Sequence, residues 1–354
     1  MTSQVDLSPR PTLGHAYDLR EPGGSSLTKI APPTPPSGVD MLPVSYETAY
    51  TWDYGMQRSD LRSLYERSKS AMWNASTDLA WDTSVDPTSE LSPDATIPIY
   101  GTHLWDKLDK KTELPRLRQM ATSYLLSNFL HGEQGALLAT AQIVCATPSA
   151  DAKFYASTQV MDEARHVEAY DRYLRDKVQM TFPISPYLRT LLDEILQEGR
   201  WDMKYLGMQI LVEGLALAAF GFIQQMTNEP LLKQIVHLIM QDEARHVAFG
   251  VLSLKGIYKD MSASELRDRE TFIVESSRLM KERFLMQEVW DAMGMPTEEC
   301  LELTRQSESQ KMFQQLLFSK IVPNVKRLGL LTPRVRQGFE ELGVIHFETW
   351  DASA

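Results

Sequence analysis

The sequence predicts an all-α protein: a four-helix bundle with extra helices before and after it. Three observations carry this. From Thr112 onward, long amphipathic stretches follow one another with only short breaks, and strand-like alternation is scarce. The string DEARHV occurs twice, at 162–167 and at 242–247, 80 residues apart. Each copy has a glutamate 30 residues before its own, with a turn signal midway, which is the pattern of a helical hairpin.

The elements follow in order. Residues 1–44 carry PGGSS and APPTPPSG, too rich in proline for a helix and too poor in apolar surface to offset ordering entropy, so they read as a flexible or surface-hugging arm. An N-terminal extension over 45–111 holds one helix at about 58–73, then turn-rich sequence with Pro87, Pro93 and Pro98. The bundle core spans 112–258, broken at TPSA (147–150), TFPISP (181–186) and TNEP (227–230), and ends near KDMSAS (259–264). C-terminal helices over 259–354 are expected to pack on the core. Those from 293 on should be short, broken at Pro296, Pro323 and Pro333.

Each copy of the repeat contains Glu-x-x-His: Glu163 with His166, and Glu243 with His246. On a helix, positions three apart share a face, so each pair can reach one metal ion from the same side. The upstream glutamates are Glu133 and Glu213, and the midpoints are Pro148 and Asn228, both within the turns. Residues equidistant from such a turn come to the same height. Two hairpins packed together would therefore bring four carboxylates and two imidazoles to one level. Glu133 is flanked at helical spacing by Phe129, Leu130, Ala136, Leu137 and Thr140, and Glu213 by Gln209, Ile210, Ala216, Leu217 and Phe220. Both glutamates thus lie in mostly apolar stripes, where an unpaired carboxylate is costly unless it binds a metal. Two divalent cations would balance the four charges. Oxygen and imidazole donors without sulfur suit iron or manganese.

Composition narrows the function. The 354 residues hold 36 Lys and Arg against 47 Asp and Glu, a net charge of −11, which disfavours nucleic acid and anionic membrane surfaces as partners. No run approaches the ~18 apolar residues of a membrane span, and MTSQVDLSPR has no apolar signal core. Two cysteines, Cys145 and Cys300, suit a reducing cytoplasm and form no C-x-x-C pair.

Glu133, Glu163-x-x-His166, Glu213 and Glu243-x-x-His246 together resemble the ligand pattern of the ferritin-like carboxylate-bridged diiron proteins. D-E-x-R-H in both halves is most similar to the branch containing ribonucleotide reductase R2 subunits and bacterial diiron monooxygenases. The resemblance covers 112–258, and LYERSKSAMWNASTDLAW (64–81) resembles an element preceding the core in that branch. It implies two iron ions, or a manganese–iron pair, that activate O2, and a homodimer. It also implies that Asp162 and Asp242 accept hydrogen bonds from the ligand imidazoles, with Arg165 and Arg245 holding them. Tyr170, four residues after His166, stands where R2 subunits place a radical tyrosine; the second repeat has Gly250 there. Against R2, the first ligand is glutamate rather than aspartate.

Three other members of the branch fit imperfectly. Toluene- and methane-type hydroxylases carry a threonine four residues after the third glutamate, where this chain has Leu217. Arylamine N-oxygenases carry an extra histidine one turn before the last glutamate, where it has Ile239. R2-like ligand-binding oxidases use a tyrosine where it has Met208. The positions Ala136, Leu137, Gly214, Leu217 and Phe220 suggest an apolar pocket, hence a hydrophobic or aromatic substrate. No Gly-rich dinucleotide fingerprint or cysteine cluster is present, so a separate reductase or ferredoxin must supply electrons. The leading expectation is an O2-dependent diiron hydroxylase or oxidase acting on a small organic molecule. A radical-storing R2-type subunit, and an iron store or helical scaffold, remain as alternatives.

Overall fold

The computed structural model describes residues 37–350, so most of the predicted arm lies outside the described residues; 37–44 carry no helix or strand. From Leu42 onward the described residues form one compact unit. Among the described residues there is no β-strand.

A strap over 42–57 lies against the first hairpin turn: the Ala49 amide donates to the Cys145 carbonyl at 2.9 Å and the Thr51 hydroxyl to that of Pro148 at 2.9 Å. Helix α1 (Ser59–Ser70) follows, its apolar face Leu61 and Leu64 buried, and it ends three residues short of the expected Trp73. The extension also holds a short helix that the sequence did not signal, α2 (His103–Lys107), capped by Thr102.

The bundle consists of α3 (Glu113–Ala146), α4 (Ala150–Tyr173), α6 (Trp201–Met226) and α7 (Pro230–Leu254), with α5 (Pro186–Gln197) on the link between the two halves. The hairpin turns fall at 147–149 and 227–229, as the spacing requires. Ser149 caps α4 by accepting from the Ala152 amide, and Glu229 caps α7 by accepting from Leu231 and Leu232. Helix α1 packs on α4 and α7, bringing the pre-core segment to the site.

Two features depart from a regular α-bundle. Helix α4 runs on into a π-helical turn, Leu174–Val178, ended by Gln179 in the left-handed region. Helix α6 is π-helical over Leu206–Val212, immediately before Glu213. Helix α6 also has the hydropathy of a membrane span, yet 78% of that stretch is buried inside the protein, so its apolarity is that of a core helix.

The tail comprises α8 (Ala263–Glu282), started by a Ser262–Glu265 capping box, then α9 (Gln287–Met293), α10 (Thr297–Gln306), α11 (Glu308–Leu316), α12 (Ile321–Arg327) and α13 (Pro333–Glu341). Pro296 and Pro333 mark helix starts as expected. Pro323 does not break a helix. It sits in the first turn of α12, where an amide has no intrahelical acceptor to lose.

Candidate metal centre

The six predicted residues converge. Glu133 comes from α3, Glu163 and His166 from α4, Glu213 from α6, Glu243 and His246 from α7, and none is more than 5% exposed. Their donor atoms form two overlapping groups: Glu133, Glu163, His166 and Glu243, then Glu163, Glu213, Glu243 and His246, each within 4.8 Å. Glu163 and Glu243 belong to both groups and are placed to bridge. Glu133 with His166 closes one end, and Glu213 with His246 the other.

Both imidazoles are oriented by their outer nitrogen. His166 Nε2 lies 3.1 Å from Asp242 Oδ2, and His246 Nε2 lies 3.2 Å from Asp162 Oδ2. The aspartate of each repeat thus serves the histidine of the other, a crossing that sequence spacing cannot reveal. With Nε2–H donating, Nδ1 is left to face the carboxylates, and it does: His166 Nδ1 is 3.2 Å from both Glu133 and Glu243. Arg165 pairs with Asp162 and reaches Asp242 at 3.4 Å, while Arg245 pairs with Asp242. Two partners come from the pre-core segment. Trp73 Nε1 donates to Asp242 at 2.8 Å, and the Ser68 hydroxyl to Asp162 at 3.5 Å.

Gln159 was missed by the sequence reading. One turn before Glu163 and fully buried, it donates to Glu163 Oε1 at 2.8 Å and to Glu213 Oε1 at 3.3 Å. The four-residue spacing was the available signal, but the repeat offered no support, because the matching position is Ile239.

The donor set fits two divalent cations. Glu163 Oε2, both Glu243 oxygens and His246 Nδ1 are buried without a hydrogen-bond partner, and all aim at the shared space. Burial and the neighbouring Glu213 charge push Glu163 up to about 8 and raise Glu243 well above the usual carboxylate range. Burial works against charge on both imidazoles, but the surrounding carboxylates outweigh it and raise them. Without cations, then, the cluster must hold protons in their place.

Tyr170 is fully buried, its hydroxyl unpartnered, with Phe129 and Phe220 ring centroids 6.2 and 6.1 Å away. Burial, reinforced by the Glu133 charge, raises its pKa and keeps it protonated. The five suggested pocket residues do not share one wall. Ala136 and Phe220 lie in the core, and a Cβ on Gly214 would meet Ile321 of α12 at 3.3 Å. Leu137 is half-buried on α3, and Leu217 lines an outer groove with Met240 and Val247. A cavity of about 120 Å³ instead lies toward the second hairpin turn, lined by Tyr124, Leu125, Ile223, Phe284 and Phe313 among others. Phe129 packs at tilted angles against Phe284 (6.5 Å) and Phe220 (4.8 Å) and stands one turn from Glu133.

Comparison with known proteins adds the following. The family model described as p-aminobenzoate N-oxygenase AurF matches residues 57–329. Among solved structures, a variant of the R2-like ligand-binding oxidase with an anaerobically reconstituted Mn/Fe cofactor is 18% identical with a TM-score of 0.49, covering 76% of this chain and 93% of that one. The same oxidase after photoconversion gives 16% identity and a TM-score of 0.47, with 76% and 93% covered. No curated protein sequence matches. Ile239, where arylamine N-oxygenases carry their extra histidine, is fully buried in the core, and among the described residues the site holds two imidazoles, His166 and His246.

Proposed function

The chain belongs to the p-aminobenzoate N-oxygenase AurF family, and from that premise we propose that this diiron oxidoreductase N-oxygenates an aromatic amine of one ring. The observation that carries the proposal is a six-residue carboxylate–imidazole cluster in the same bundle as a ring-sized apolar cavity. An engineered cavity of roughly 150 Å³ holds a benzene molecule, so about 120 Å³ suits a single ring and not a long chain.

Glu163 and Glu243 would hold both metal ions, Glu133 with His166 and Glu213 with His246 one each. Bound there, two iron ions (or manganese and iron) supply the capacity to reduce and activate O2. Asp242 and Asp162 fix the imidazole tautomers, so each His presents Nδ1 to the site. Phe129, Tyr170 and Phe220 keep water away on the cavity side. In the net reaction one O2 oxygen enters an N–H bond and the other leaves as water, consuming two electrons and two protons. A separate reductase or ferredoxin provides those electrons.

The test is turnover. Iron-loaded protein given O2, a chemical or enzymatic reductant and a panel of anilines should release hydroxylamine or nitro products, seen by mass spectrometry with oxygen-18 label. Product formation should fall at least a hundredfold in Glu163→Ala. Labelled carbon-hydroxylated products with no nitrogen oxidation would reject the amine assignment.

A further inference from the structure

The two sides of the metal centre come from the same repeat but are not finished alike. Each bridging carboxylate sends one oxygen to each side. Glu163 Oε2 lies 3.5 Å from His166 Nδ1, and its Oε1 lies 3.2 Å from His246 Nδ1. Glu243 Oε1 lies 3.2 Å from His166 Nδ1, and its Oε2 lies 3.5 Å from His246 Nδ1. Glu133 completes the His166 side at 3.2 Å and Glu213 the His246 side at 3.7 Å. By charge and donor type the two ion positions are equal.

Gln159 breaks that equality. Its Nε2 donates to Glu163 Oε1 at 2.8 Å and to Glu213 Oε1 at 3.3 Å. The first oxygen faces His246, and the second belongs to the carboxylate closing that side, so the amide grips the ligands of one ion only. The equivalent place in the other repeat, one turn before Glu243, is Ile239. It has no donor to offer, and neither Glu243 oxygen has a hydrogen bond. Among the described residues no side-chain amide reaches Glu133, which meets the His166 imidazole. Gln159 and Ile239 are both fully buried, so bulk water does not make up the difference.

The direction of the effect follows from what binding requires. Before a cation arrives, two like-charged carboxylates repel each other, and each must be fixed in one rotamer. The shared amide gathers Glu163 and Glu213 in advance, and each oxygen keeps lone pairs for a cation. We infer that Gln159 is a positioning residue that makes the position between Glu213 and His246 the first to fill and the more tightly held. It sets the order of metal loading, whatever substrate the centre serves. Losing such an outer hydrogen bond costs a metal ion roughly 10–100-fold in affinity.

Titrating the metal-free full chain with Mn(II), and following the free ion by electron paramagnetic resonance, tests this. The wild type should bind its first ion at least tenfold tighter than its second. Single-ion chains then assign the difference: Glu133→Ala keeps the ion beside His246, and Glu213→Ala the ion beside His166. Adding Gln159→Leu should weaken the ion at least tenfold in Glu133→Ala and shift it by less than about threefold in Glu213→Ala. Gln159→Met, which also lacks the donor, should repeat that pattern. Similar losses in both chains would show that Gln159 supports the bundle as a whole, and would overturn the inference. So would an unchanged affinity in Glu133→Ala. If circular dichroism shows that neither substitution folds, the amide serves the bundle and not one ion, and the inference falls with it.

Discussion

Glu163 and Glu243 belong to both donor groups, whereas Glu133 and Glu213 each belong to one, and the difference is measurable. Glu133→Ala or Glu213→Ala should leave about one metal ion per chain. Glu163→Ala or Glu243→Ala should lose both. Plasma emission analysis of the four variants decides it, and a Glu163→Ala protein that keeps as much metal as Glu133→Ala would refute the bridging geometry. Tyr170 is the other residue whose role divides hypotheses. Its hydroxyl has no acceptor to take a proton, and burial holds the phenol neutral, so one-electron oxidation would leave a proton stranded. Electron paramagnetic resonance after O2 exposure should show no long-lived tyrosyl signal in either the wild type or Tyr170→Phe, and metal content should match. A tyrosyl signal that disappears in Tyr170→Phe would revive the radical-storing alternative.

Helix α6 delivers Glu213 directly from its π-helical stretch, and that stretch packs against α7 at Gly250. A Cβ on Gly250 would come within 2.4 Å of Gln209 Cβ and 3.2 Å of Ile210 Cδ1. Gly250→Ala must push α6 away at the turn preceding the ligand. The expected cost is about 1–3 kcal/mol of stability, the range for overpacking, with metal lost first from the Glu213–His246 end. Thermal melting and metal analysis check both parts; an unchanged melting temperature with full metal would show that the contact is slack. This element also marks the limit of what was readable in advance. Glu133, Glu163, His166, Glu213, Glu243 and His246 were legible because a ligand set on helices imposes fixed spacings, and a duplicated motif repeats them. The turns at 147–149 and 227–229 were legible for the same reason. The π-helical insertion leaves no compositional mark, so Gly250 looked like a missing tyrosine rather than a close approach. Asp162 and Asp242 were named by resemblance, but their exchange between repeats, the Trp73 bond and the Gln159 contact depend on packing across helices, which spacing along one helix does not encode. The wall positions depend on packing in the same way: Leu217 lines an outer groove, while Gly214 is buried against Ile321 of α12.

At the scale of the whole molecule the metal centre is also the keystone of the fold, because all four bundle helices meet at it. Without cations, four carboxylates and two imidazoles share a buried space, and proton uptake compensates. Burial and the Glu213 charge raise Glu163 to about 8, and the surrounding carboxylates raise both histidines against the effect of burial. The folded metal-free protein therefore binds more protons than the unfolded chain, and its stability must fall as pH rises from the unfolded histidine and glutamate values through about 8. Glu213 and Asp242 pull the other way at the acid end: burial would raise them, but hydrogen bonds from Glu243 and His166 outweigh it and lower both. The stability they contribute is present above the ordinary carboxylate range and lost as pH falls below it. Metal binding reverses the neutral-pH trend. The cations take deprotonated donors in the native state and hardly any in the unfolded chain, so protons now compete with metal as pH falls. Loaded protein should gain roughly 4 kcal/mol at a thousandfold excess of metal over Kd. Differential scanning calorimetry from pH 5 to 9 should accordingly show the two melting curves closest at the acid end and widening steadily toward pH 8, with the metal-free curve sloping down. Parallel curves across that range would mean that the six residues do not exchange protons for metal, and the centre would have to be sought elsewhere.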